Sequence, residues 1–196
     1  TDRVSSPPEY VGHYVEGLFY MPECFFVNDH KQTYSELLHD NVTPQEKINR
    51  LAYGSLSPDI GTGFVMGAFN QLHKIDPGIW RTWMQAMKRV ENSHIWMIRI
   101  HSRDPEMNLR REAEALGVQG SRIHVTQGYN EKEHLFVKAA ADIFLDTPSY
   151  NAHSSGCDVL WAGLPILTLA GDKMASRVAA SLVTSIGCAA TIARTE

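Results

Sequence analysis

Cysteine is scarce in this chain of 196 residues, and its three cysteines, Cys24, Cys157 and Cys188, are far apart and never form a C-x-x-C pair. That excludes a disulfide framework and a zinc knuckle, and it fits a reducing, intracellular setting. Long apolar runs are missing too. The longest, 159–170, is broken by Gly163 and Pro165 and is shorter than the roughly 20 residues a membrane-spanning helix needs. Positive charge is in deficit: 18 Lys+Arg face 22 Asp+Glu for a formal charge of −4, and the first 60 residues hold 9 acidic and 4 basic side chains. This balance argues against a general nucleic-acid binder. There is no G-x-x-x-x-G-K-[ST], and Gly61-Thr62-Gly63 precedes an apolar run instead of linking strand to helix, so neither a P-loop nor a dinucleotide fingerprint is supported. Asp-x-Asp, H-E-x-x-H and G-x-S-x-G are absent and the nine histidines are dispersed. Metal dependence and a serine-nucleophile elbow are therefore not expected.

What is present suits a globular protein. With 43% hydrophobic and 20% charged residues, the chain can bury the core of one domain or at most two. It begins at Thr1 without a Met or signal-like segment and stops just after a helical pattern and a short apolar run, which reads as a piece of a longer polypeptide. Residues 1–60 are acidic and irregular. Within them, 31–60 carries Asn41, Pro44, Gly54, Ser55 and Pro58 and reads as connector more than core. Asn41-Val42-Thr43 matches a glycosylation sequon, but Pro44 follows it and the setting reads as cytosolic, so it is set aside.

From residue 61 onward, short apolar runs alternate with helical periodicity. Strands are predicted at 64–69, 95–100, 123–126, 142–146 and 164–169. Between and after them, helices are predicted from Pro77 to about Val90, from Asp104-Pro105 to a stop at Gly117, and over 131–140, 155–162 and 175–186. Trp80, Trp83, Met84, Met87 and Val90 recur at helical spacing and read as a core stripe. Strand–helix alternation of this kind specifies an α/β fold with a doubly wound parallel sheet.

Ligands of such sheets lie beyond the carboxyl ends of the strands, and here the residues just after the strands are polar. After the first come Asn70, Gln71, His73 and Lys74. Tyr129, Asn130, Glu131 and His134 follow the third, and the fourth leads into a run from Asp146 through His153-Ser154-Ser155-Gly156 to Asp158. His153-Ser154-Ser155-Gly156 falls where a helix begins, and free N–H groups with the helix dipole suit a diphosphate there; a plain capping serine is the competing reading. Lys74 is either a solvated surface charge or the neutraliser of a phosphate leaving group. His134 lies against a base or is a half-buried structural histidine. Asp158, four residues after Ser154 and on nearly the same helical face, is suited to accept ribose hydroxyls.

Three stretches carry a resemblance. They are Phe69-Asn70-Gln71-Leu72-His73-Lys74-Ile75-Asp76-Pro77; Leu145-Asp146-Thr147-Pro148 with Asn151-Ala152-His153-Ser154-Ser155-Gly156-Cys157-Asp158-Val159-Leu160-Trp161-Ala162-Gly163; and Ala175-Ser176-Arg177-Val178-Ala179-Ala180-Ser181. Together they resemble the C-terminal catalytic lobe of the protein O-linked N-acetylglucosamine transferase family, in order and over nearly the whole chain. The resemblance implies one of the two Rossmann-like lobes of a GT-B glycosyltransferase, with residues 1–60 the passage out of the N-terminal lobe and 61–196 the nucleotide-sugar-binding lobe. It implies inverting transfer of GlcNAc from UDP-GlcNAc to Ser or Thr hydroxyls of cytoplasmic or nuclear proteins, without a metal or other cofactor. The N-terminal lobe and upstream tetratricopeptide repeats would belong to the same polypeptide, so this chain alone would be inactive. Gln71 and Lys74 match the family's diphosphate contacts, the lysine stabilising the departing UDP. Tyr129, Asn130 and Glu131 match the loop at uracil, and His134 the histidine near the base. His153, Ser154 and Ser155 match a donor-binding His-Thr-Thr, and Asp158 a ribose-binding aspartate. Two departures stand out: the family's loop usually has a lysine where this chain has Glu131, beside Lys132, and a serine pair replaces the threonines. The rival readings are the related protein O-fucosyltransferase branch, which uses GDP-fucose, and a non-catalytic nucleotide-sugar-binding module.

Overall fold

The computed structural model describes residues 1–35, 43–99, 104–128 and 130–195, with the backbone alone at 58, 59, 99, 104 and 131. Among these, six strands form one sheet: β1 (Phe64–Ala68), β2 (Ser93–Arg99), β3 (Ile123–Gln127), β4 (Ile143–Leu145), β5 (Ile166–Leu169) and β6 (Ile192–Ala193). The order is β3-β2-β1-β4-β5-β6 and every pairing is parallel. The helices are α1 (His30–Thr33), α2 (Pro44–Tyr53), α3 (Pro77–Arg89), α4 (Asp104–Ala115), α5 (Glu131–Lys138), α6 (Ser154–Trp161) and α7 (Val178–Ser185). No helix among the described residues is long and apolar enough to cross a membrane.

Both faces of the sheet are covered, so the central strands are apolar on both sides. Successive side chains alternate between two cores. Ile95 and Met97 join Met66, Leu145 and Ile123 under the stripe of α3, whereas Trp96 and Ile98 join Val65, Phe144 and Ile166 on the other face with residues of α2, α5, α6 and α7. Of the predicted stripe, Trp80, Trp83, Met84 and Met87 are buried, while Val90 follows the last helical residue and is exposed.

Local signals set the ends of the elements. Asp76 caps α3, its Oδ1 accepting from the N–H groups of Gly78 and Ile79 at 2.8 and 3.0 Å, with Pro77 in the first turn, where its missing N–H costs nothing. Gly117, at φ +80°, ends α4; the next N–H, that of Val118, bonds back to Ala113 O at 2.9 Å. Only glycine takes this left-handed position without a Cβ penalty.

Two expectations are corrected. The chain adds a sixth strand, β6, too short to give a periodic signal. Residues 31–60, read as connector, contain α2, whose Thr43 makes a reciprocal capping box with Glu46. Leu51, Leu56 and Ile60 enter the larger core. The supposed breakers are boundaries: Pro44 opens α2 and Gly54 closes it. The sequon residues Asn41 and Val42 and the predicted strand end Ile100 lie outside the described residues.

The leading residues are pinned down by one carboxylate. Asp2 Oδ1 accepts from the N–H groups of Val4 and Ser5, and Oδ2 from Ser5 Oγ, Phe25 N–H and Ser181 Oγ of α7. Burial by itself would raise its pKa, but these donors outweigh it and hold the carboxyl below its ordinary range. Arg177 adds a second tie, Nε donating to Val4 O at 2.7 Å.

Leu51 is completely buried. Leu51→Ala is therefore expected to cost about 2–5 kcal/mol in denaturant unfolding. Unchanged stability would return α2 to the status of a connector.

Candidate functional site

The strand order reverses direction between β1 and β4, and such a switch point leaves a crevice between the loops that diverge from the two strand ends. A cavity of about 700 Å³ lies there. Its walls come from the loop after β1 (Asn70, Gln71, His73, Lys74), from α5 (His134, Lys138), and from the β4 loop and α6 (Ser149, Tyr150, Ser154, Ser155, Asp158).

Behind the cavity wall, Asn70 and Ser155 belong to a hydrogen-bond network around Asp146, which lies just past β4 and is 4% exposed. Asp146 Oδ1 accepts from Asn70 Nδ2 at 3.0 Å and from Ala152 N–H at 2.7 Å, and Oδ2 accepts from Thr168 Oγ at 2.6 Å. Burial pushes its pKa up, and these hydrogen bonds work against that shift. Asn70 also donates to Thr147 Oγ at 2.9 Å and accepts from Ser155 Oγ at 3.1 Å. The loop after β1, the β4–α6 connection and strand β5 are thereby fixed to one another.

Of the candidate residues, Gln71, Lys74, His134, Ser154, Ser155 and Asp158 line the cavity together. Gln71 begins the 3₁₀ turn Leu72–Lys74. Lys74 follows on that turn, its Nζ donating to Asn151 O at 3.3 Å and lying 4.1 Å from the centre of the Tyr150 ring. Burial lowers its pKa, and the nearby Asp146 partly restores it. Lys74 is thus half-buried and faces the cavity, with no carboxylate in ion-pair contact among the described residues. A solvated surface charge would not be held this way.

His153, the residue before α6, does not line the cavity. Its ring stacks on Tyr150 with centroids 4.8 Å apart and interacts with Ala175 O at 3.3 Å. Burial lowers the pKa of His153; the Ala175 carbonyl opposes the shift and the charge of Lys74 reinforces it. Among the described residues, no side chain caps α6. The capping reading of the serines therefore fails: Ser154 is exposed within the first turn, and Ser155 is spent on Asn70. Uncapped N–H groups at a helix start, with Lys74 across the crevice, form an anion-binding arrangement.

The β3–α5 loop contributes less. Asn130 is the cap of α5, its Oδ1 accepting from Glu133 N–H at 3.0 Å, and it is not part of the cavity wall. Tyr129 lies outside the described residues, and Glu131 begins α5 with its side chain outside the description. His134 is half-buried on the cavity wall.

Two residues were missed by sequence reasoning. Asp158 is gripped from both sides, Oδ1 by His30 Nε2 at 2.9 Å and Oδ2 by Lys138 Nζ at 3.0 Å. His30 lies 128 positions away in a segment without periodicity, and Lys138 reads as an ordinary basic end to a helix, so no local signal marks either. Among the described residues, no group of three or more His, Cys, Asp or Glu side chains could hold a metal ion.

Comparisons with known proteins agree with this architecture. The family model described as glycosyl transferase family 41 matches residues 1–55 and 49–196. An Arabidopsis thaliana protein named probable UDP-N-acetylglucosamine–peptide N-acetylglucosaminyltransferase SEC is 43% identical over 187 residues, 95% of this chain and 18% of that protein. A Caenorhabditis elegans UDP-N-acetylglucosamine–peptide N-acetylglucosaminyltransferase is 33% identical over 166 residues, 83% of this chain and 14% of its own length. A solved mutant of Thermobaculum terrenum O-GlcNAc transferase superposes with a TM-score of 0.79 at 22% identity, covering 99% of this chain and 34% of that one, a likeness of fold. The chain thus spans less than a fifth of either curated relative.

The two serines are expected to separate in a single experiment. Ser155→Ala, which leaves Asn70 Oδ1 without its donor, should lower stability by about 1 kcal/mol. Ser154→Ala should leave unfolding within about 0.5 kcal/mol of wild type and weaken binding of inorganic pyrophosphate. Equal destabilisation by both would contradict the division of roles.

Proposed function

The chain belongs to glycosyl transferase family 41, and from that premise we propose that it is the nucleotide-sugar-binding lobe of a protein O-GlcNAc transferase. Its cavity would hold UDP-GlcNAc for inverting transfer of GlcNAc to Ser or Thr hydroxyls of cytoplasmic or nuclear proteins. The observation that carries this reading is the pairing of Lys74 with the uncapped start of α6 across one crevice at the switch point. Asp158 lines the same cavity.

In this reading the diphosphate lies between Gln71, Lys74 and the first turn of α6, the ribose hydroxyls meet Asp158, and the base extends toward His134 and the Tyr129–Glu131 loop. The acceptor oxygen attacks the anomeric carbon from the side opposite the diphosphate. As that bond forms, the bond from the anomeric carbon to the β-phosphate oxygen breaks, and its electron pair leaves with UDP. The acceptor proton passes to a base outside this chain. Lys74 stabilises the negative charge growing on the β-phosphate, an effect strengthened by partial burial of its ammonium. No metal takes part in this scheme. The N-terminal catalytic lobe and the tetratricopeptide repeats that recruit acceptors belong to the remainder of the polypeptide, so binding and turnover separate: residues 1–196 hold the donor and do not transfer sugar by themselves.

Lys74→Ala in the full-length enzyme is expected to lower kcat by about a hundredfold, with a smaller effect on UDP affinity and no sensitivity to EDTA in either protein. Near-normal turnover would show Lys74 to be a surface charge.

A further inference from the structure

Among the described residues, Asp158 is the one wall residue of the cavity whose two carboxylate oxygens are both held, one by a histidine and one by a lysine, and both partners are themselves buried. The His30 side chain is 9% exposed and that of Lys138 4%, against 27% for Asp158. His30 comes from the leading segment. Its N–H donates to Asn28 Oδ1 at 3.1 Å, and its ring is packed edge-on against Tyr34 and Trp161, with centroids 5.6 and 6.0 Å away. Trp161, on α6 with Asp158, donates from its indole N–H to Tyr34 O at 3.1 Å, so the leading segment and α6 are held together beside the His30–Asp158 contact.

The second nitrogen of the His30 ring is informative. Nδ1 is buried and has no hydrogen-bond partner among the described residues. An imidazole used merely to fill space would be expected to satisfy both nitrogens or be replaced by an apolar side chain, since an unpaired buried polar atom is costly. Here that cost is accepted while Nε2 is committed to the carboxylate.

We propose that His30 is a positioning residue for nucleotide binding: with Lys138, it holds the Asp158 carboxylate so that its free lone pairs face the cavity and receive the two vicinal hydroxyls of a ribose. This rests on the donor-site reading above. A carboxylate accepts through two oxygens with about four lone-pair directions, so two can be occupied by the clamp while two remain for the ligand. With His30 removed, Asp158 keeps Lys138 as a partner but is free to rotate toward it, and the hydroxyl contacts lose their geometry. The leading segment, anchored by Asp2, is then part of the binding site and not only a tether.

The test compares UDP with 2′,3′-dideoxy-UDP by calorimetry on the full-length protein, with His30→Ala, His30→Leu, His30→Gln and Asp158→Ala. The affinity ratio of the two nucleotides is the readout, because any unfolded fraction affects both ligands alike. Wild type should prefer UDP by about tenfold or more. His30→Ala and His30→Leu, the latter filling the space beside Tyr34 and Trp161 without a donor, should reduce the preference to below about threefold, and His30→Gln, which retains an N–H donor, should restore most of it. Asp158→Ala should abolish the preference, with no further change on adding His30→Ala. Full preference in both His30→Ala and His30→Leu, with loss in Asp158→Ala, overturns the positioning role and leaves the ribose reading intact. Full preference in Asp158→Ala overturns the ribose reading itself.

Discussion

A carboxylate with almost no access to water, Asp146, can remain in the interior only by collecting donors, and it collects them from three separate stretches of the chain. Asn70 reaches it from the end of β1, Thr168 from β5, and the Ala152 N–H from the turn that leads into α6. Each hydrogen bond to a buried charged acceptor is worth more than its surface counterpart, and leaving any donor unpaired would cost comparably. The position of the cavity follows from this. The parallel sheet opens a crevice at its switch point, but a crevice between independent loops would be loose; here the wall residues Asn70 and Ser155 are tied to Asp146, and Lys74 and the start of α6 line the same cavity.

Charge is arranged around that cavity with a consistent logic. Lys138 is buried and matched by Asp158, whereas Lys74 is half-buried and rests on a carbonyl and an aromatic face. A matched cation stabilises the apo fold. An unmatched one is available to an anion, and the contact with Tyr150 keeps it extended over the cavity at a modest cost that a phosphate can readily offset. The leading segment completes the assembly from outside the sheet, with Asp2 and Arg177 fastening it to α7 and His30 reaching into the wall.

Much of this was legible in the sequence, for physical reasons that also explain the rest. Strand–helix alternation from residue 64 onward carries the parallel sheet because burial on both faces demands apolar runs, and the polar residues behind those runs fall at the edge that carries the cavity. His153-Ser154-Ser155 was placed at a helix start, although the hydroxyl network departs from a capping role. Helix α2 escaped notice because its boundaries, Pro44 and Gly54, resemble the punctuation of a loop, and its core contact rests largely on Leu51. Strand β6 contributes two residues, too few for a period. His30 and Asp2 were invisible because their importance lies in partners 128 and 179 positions away. Contacts at that range leave no mark on local patterning.

In the proposed reading, the crevice between β1 and β4 is a nucleoside-diphosphate site whose walls are already formed in the free protein. A crystal structure of the full-length protein with UDP tests it most directly. The diphosphate is expected at the first turn of α6 within reach of Lys74, with the ribose hydroxyls on Asp158 and the Asp146 network and the His30–Asp158–Lys138 clamp unchanged. UDP bound elsewhere on the sheet, or bound here with Asp158 swung away from His30, would contradict it.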